Sequence, residues 1–138
     1  MKNETDGFMA TVLEPHISGL TVYMVFNCYG MNRSTLIPKK HRKMVVEIAK
    51  DKGGDNYKRF DWRELIPVDV SESPRILLRG KRLKRALSLF SQQEWDDIYC
   101  FIKMNSQAIQ HHWTEPDSIG LFEGLKKLNG DVVLPKVE

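Results

Sequence analysis

A chain of 138 residues, 41% hydrophobic and 28% charged, is long enough for one domain with a buried core and too apolar for intrinsic disorder. It has no run of about 18 apolar residues, so no membrane span is expected, and the Lys2, Glu4 and Asp6 start with no apolar stretch behind it is unlike a secretory signal. Its net charge of +3 is small, and two cysteines, Cys28 and Cys100, cannot make the disulfide scaffold of a small secreted domain.

Both cysteines sit in apolar patterns, which predicts reduced thiols in or near the core and a cytoplasmic setting. In chain order, Thr11 to Ile17 carries a weak strand signal broken by Pro15, a residue that an edge strand tolerates. Ser18-Gly19 predicts a tight turn. Leu20, Val22, Met24, Phe26 and Cys28 then alternate with more polar neighbours, the period of a strand with one strongly apolar face. Met44 to Ile48 is a third strand candidate. A helix over Lys40 to Lys50 competes with it, but adjacent valines and the Gly53-Gly54 stop favour the strand.

Leu65 to Val70 and Ile76 to Leu78 are strand-like, joined by Ser71-Glu72-Ser73-Pro74. Leu83, Leu87 and Phe90 recur at helical spacing and predict a short amphipathic helix over Lys81 to Leu89. Ser91-Gln92-Gln93-Glu94 is a capping box, with Phe90 and Trp95 placed as a hydrophobic staple. The helix it starts is expected to run to about Gln110, with Trp95, Ile98, Ile102 and Ile109 inward, Phe101 and Trp113 widening that stripe, and Asn105 interrupting it. A last helix is expected over Ser118 to Leu128, stopped by Asn129-Gly130.

Residues 1–8 are expected to be flexible. Residues 131–138 are either loosely held or add a short edge strand through VVLP. Strands followed by helices predict an α+β fold in one domain over 1–138: a mostly antiparallel sheet from the N-terminal half, with two or three C-terminal helices packed on it. Repeated strand–helix alternation of the Rossmann type is missing.

Charge is distributed unevenly along this order. Arg33 to Arg63 holds ten Lys or Arg against four acids, and Arg75 to Arg85 holds six basic residues and no acid. From Ser91 to Glu123 six acids face Lys103 alone. The basic clusters place Lys39, Lys40, Arg42 and Lys43 after Pro38, Lys58 and Arg59 beside Phe60 and Trp62, and Arg79, Lys81, Arg82 and Arg85 in the third group. Such cations neutralise phosphates, and an exposed aromatic can stack on a base. The opposing expectation is a solvated basic surface with Phe60 and Trp62 buried, or one paired with the acidic helix within a molecule or between copies.

Catalytic signals are weaker, and no catalytic residue is assigned. There is no phosphate-binding glycine loop, and no CxxC or HxxxH pair, so neither a metal nor a cofactor is expected. His111 and His112 are adjacent on a helix and diverge. A metal-independent ribonuclease or toxin could draw on His41, Arg42, Lys43, Tyr57, Lys58 and Arg59. The segment from Val68 to Trp113, PVDVSESPRILL followed by WDDIYCFIKMNSQAIQHHW, resembles a loose pattern in small uncharacterised bacterial proteins. Some of these are associated with mobile elements or toxin–antitoxin loci, which implies a bacterial accessory protein and no site residues. Three functions are therefore open: an accessory or regulatory protein binding RNA or DNA through the basic middle, a protein-interaction module with a groove formed by Trp95, Trp113 and the final helix, or the small ribonuclease. Pairing of the acidic helix with the basic middle of a second copy would make a homodimer.

Overall fold

A computed structural model describes residues 11–26, 44–51, 60, 64–115, 117–128, 130 and 132–133. Its elements run β1 (Thr11–Ile17), β2 (Leu20–Phe26), β3 (Val45–Lys50), β4 (Ile66–Asp69), α1 (Gly80–Leu87), α2 (Gln92–Met104), α3 (Ser106–Thr114), α4 (Ser118–Gly124) and β5 (Val132–Val133). The strands form one sheet in the order β4-β3-β2-β1-β5, with every neighbouring pair antiparallel. This is the α+β arrangement expected from the sequence.

The β1–β2 hairpin closes on Ser18 and Gly19, at φ 51° and 87°, the two positive values that suit a two-residue turn to the right-handed twist of its strands. Alternation then sorts the side chains. Leu13, Ile17, Val22, Met24, Phe26, Val46, Ile48, Ile66 and Val68 face the helices in the main core. Tyr23 and Ala49 face the other way and pack with Phe60, flanked by Val12 and Leu65. Both faces of the central strands are therefore covered, which explains why β3 reads as a continuous apolar run around a buried Glu47.

Trp95, Ile98, Phe101, Ile102 and Ile109 supply the helical side of the core, joined by Ala86, Phe90, Leu121 and Leu125. The Ser91 capping box forms in full: Ser91 Oγ accepts from the Glu94 amide at 3.1 Å, and Glu94 Oε1 accepts from the Ser91 amide at 2.7 Å.

Four expectations are corrected. The single helix to Gln110 is two helices, α2 and α3, divided at Asn105 and reaching Thr114. Asn105 is buried; its Nδ2 donates to the carbonyls of Phe101 at 2.9 Å and Lys126 at 3.1 Å, while its Oδ1 accepts from the Lys126 amide at 2.6 Å. That grip also ends α4 early, since Leu125 is already extended at φ −71° and ψ 129°. Ile76 to Leu78 forms an isolated bridge from Ile76 to Val68 instead of a strand. With the Leu77 amide on the Pro67 carbonyl at 2.9 Å, it covers the outer edge of β4.

Pro15, finally, is not on an edge strand. The β1–β2 register holds at Thr11 to Leu13 and at His16–Ile17, and the intervening Glu14 and Pro15 pair with Val133 and Val132 of β5. The C-terminal strand alternative is thus the one realised. The expected flexibility of residues 1–8 falls outside the described residues, as does that of the tail beyond Val133.

Candidate nucleic-acid interface

The chain enters α1 from an extended Arg79, at φ −133° and ψ 158°, through Gly80 at φ 59°. This left-handed step into a helix is open to glycine at little cost. Eight residues give α1 a length of about 12 Å. Only Ala86 of the helix is buried, with Leu83 half-buried beside it. Arg79, Lys81, Arg82, Lys84 and Arg85 are exposed. At 100° per residue Lys81, Lys84 and Arg85 share the outward face, and Arg82 lies on its flank.

The placement of these charges opposes helix stability at one end. Lys84 and Arg85 sit in the last turn, where the helix dipole welcomes cations, but Lys81 and Arg82 occupy the first turn together with no acid. Arg79, as the N-cap, provides no side-chain hydrogen bond. Arg85 reaches Glu64 at 3.6 Å, a solvent-exposed pair of the kind that contributes little. The exposed Lys50, at the end of β3, places its Nζ 5.9 Å from the centroid of the Phe90 ring.

Of the residues predicted from sequence, the structure places Arg79 at the N-cap of α1 and Lys81, Arg82 and Arg85 on the helix, together with Lys84. Lys84 was visible within the cluster. Lys39, Lys40, Arg42, Lys43, Lys58 and Arg59 lie outside the described residues, as do His41, Tyr57, Trp62 and Cys28. Phe60 is buried against Tyr23, with ring centroids 5.0 Å apart, and so is not a stacking platform.

Trp95 is corrected as a groove residue. It is 1% exposed and enclosed between the edge-on ring of Phe90 and the stacked ring of Tyr99, at 5.0 and 5.6 Å. Trp113 is half-buried. Cys100 is corrected too: it is a free, exposed thiol on the outer side of α2.

No protein-family model matches the chain, and neither the curated proteins nor the solved structures compared with it give a match. Functional inference therefore starts from the surface itself. Among the described residues no helix is long and apolar enough to cross a membrane.

The acidic side of α2 is held locally. Asp96 accepts from the Gln92 side chain at 2.8 Å and Asp97 from Gln93 at 3.0 Å, each one turn along the helix. Burial, aided by Asp96, raises the Tyr99 pKa. His112 is buried, with Nδ1 accepting from the Asp117 amide at 3.1 Å, and burial lowers its pKa despite the neighbouring Asp117. His111 is exposed and faces Glu115 at 3.5 Å. Among the described residues no three His, Cys, Asp or Glu side chains converge as metal ligands. Cations on an exposed helix can bind a polyanion.

Proposed function

We propose that this chain is an accessory protein that binds nucleic acid through α1 and the basic segments of its middle. One observation carries the reading. Arg79, Lys81, Arg82 and Lys84 are exposed and without ion-pair partners among the described residues, although an acidic helix begins only four residues after α1 ends. Among the described residues no acid neutralises these cations, which weakens the main argument against a phosphate-binding role. The first-turn position of Lys81 and Arg82 supports the same reading, because it works against the dipole and is not a stability device.

Fluorescence anisotropy with short labelled DNA and RNA at 50 and 200 mM salt tests the proposal. Four phosphate contacts predict a fall in affinity of roughly a hundredfold between those salts. Lys81→Glu with Lys84→Glu is expected to abolish binding while leaving the circular dichroism spectrum unchanged. Absence of binding at 50 mM by the folded protein would overturn the reading, and the basic surface would then be assigned to an acidic protein partner or to a second copy's α2.

A further inference from the structure

We infer that the α1 surface reads the phosphate backbone of duplex nucleic acid, as a convex ridge laid along a groove, and does not discriminate among base sequences. This deepens the nucleic-acid reading above and rests on it. Proteins that hold single strands do so in concave basic channels lined with aromatic side chains, on which successive bases stack. The surface of α1 is the reverse in both shape and chemistry. It is an outward-facing helix about 12 Å long, and a helix of ordinary diameter is what the major groove of duplex DNA accommodates.

No aromatic ring among the described residues is offered there. Phe90 and Trp95, the nearest in sequence, are buried, and Lys50 sits over Phe90. Phe60 is spent on Tyr23.

Base reading also lacks its tools. Reading adenine takes Asn or Gln, and reading cytosine takes a carboxylate, whereas α1 has the sequence GKRLKRAL. Lys81 and Lys84 act as point charges. Arginine can fork onto guanine, and Arg79, Arg82 and Arg85 are the arginines here, the last also reaching Glu64 at 3.6 Å in an exposed pair. Guanine is therefore the one base that these side chains could contact. What the helix supplies is charge at a spacing of three and four residues, which fixes position on a backbone and carries no sequence information.

The test compares, in anisotropy titrations of the full chain, two DNA duplexes of unrelated sequence, one RNA duplex, and single-stranded oligo(dT) and oligo(U) of equal charge. Duplexes are expected to bind at least about fivefold more tightly than either single strand, and the two DNA sequences within about twofold of each other. The logarithmic salt slope on duplex DNA should be about −4, with Lys81→Gln and Lys84→Gln each lowering it by about one. The RNA duplex decides whether groove width matters: parity with DNA assigns recognition to phosphates alone, and a DNA preference assigns it to the groove that admits the helix. Both results support a duplex backbone reader.

Single strands binding as well as duplexes, or a tenfold difference between the two DNA sequences, would overturn this inference and leave the nucleic-acid reading standing. Failure to bind any of the five probes would overturn both.

Discussion

Asn105 gives the sharpest quantitative test of how the helical layer is assembled. Its side chain makes three hydrogen bonds from a position 2% exposed, two of them to Lys126, 21 residues away. Asn105→Ala removes all three and leaves the amide and carbonyl of Lys126 facing a small cavity. At about 1 kcal/mol per neutral bond the loss is about 3 kcal/mol, reduced where water reaches Lys126 and increased where it does not, so about 2–4 kcal/mol is expected. That is a large share of the total stability of an ordinary domain.

Asn105→Asp separates donor from acceptor in this clasp. The carboxylate still accepts from the Lys126 amide, but it cannot donate and sets charge against two carbonyl oxygens. At pH 7 it is expected to destabilise at least as much as Ala. Below about pH 4 the protonated carboxyl can donate again, so the Asp variant should recover relative to Ala. The sign follows from a carboxyl pKa raised by folding: the folded state holds the proton more tightly, and stability is gained as pH falls. Urea unfolding followed by circular dichroism gives the midpoint and slope for each protein. A loss under about 0.5 kcal/mol for Asn105→Ala would refute the clasp.

Three further outcomes follow from the core. Trp95 has the single buried side-chain donor without a partner among the described residues. Trp95→Phe should therefore cost only about 1 kcal/mol, since it deletes an orphaned N–H with the ring edge, whereas Trp95→Ala should cost about 3–5 kcal/mol in the same urea titration. A Cβ on Gly130 would collide with the backbone carbonyl of His16, so Gly130→Ala should destabilise by about 1–3 kcal/mol and raise hydrogen exchange at Val132 and Val133. His112 has a lowered pKa because it is buried, against an unperturbed 6.5. The unfolded chain takes up its proton first, so stability should be lost as pH falls from about 6.5 toward the lower folded value. His112→Asn, which can keep an acceptor for the Asp117 amide, should flatten that pH dependence.

The parts of the fold that were legible in the sequence are those in which cause and effect are neighbours. Ser18-Gly19 names its own turn, the Ser91-Glu94 box formed bond for bond, and Val45-Val46 decided for strand over helix. Two of the corrections involve partners distant in sequence. Asn105 reads locally as an interruption of an apolar stripe; only Lys126 turns it into a joint between α2 and α3. Pro15 looked like an edge residue because the two residues that pair with Glu14 and Pro15, Val132 and Val133, lie more than a hundred positions later. For the candidate site, composition found the cations of α1 and periodicity found the helix. Neither could show that Phe60 points into the core, because an aromatic beside a basic residue has the same signature whether it stacks on a base or on Tyr23.

Whether the charge pattern of α1 belongs to a binding surface or to a merely solvated one is measurable with a pair of substitutions. A surface selected only for solubility and stability would put acids at the start of a helix and bases at its end. In α1 the last turn obeys that rule with Lys84 and Arg85, while the first turn breaks it with Lys81 and Arg82. Lys81→Glu and Arg82→Glu place carboxylates against the unpaired amides of the first turn, each worth about 0.3–1 kcal/mol in favour of the helix. The double variant should therefore unfold at higher urea than the parent chain and bind no nucleic acid. If it is instead less stable than the parent, the cations contribute to the fold through contacts that outweigh the dipole, and their position ceases to be an argument for binding. If it is more stable and binds as before, the phosphates are held elsewhere on the chain.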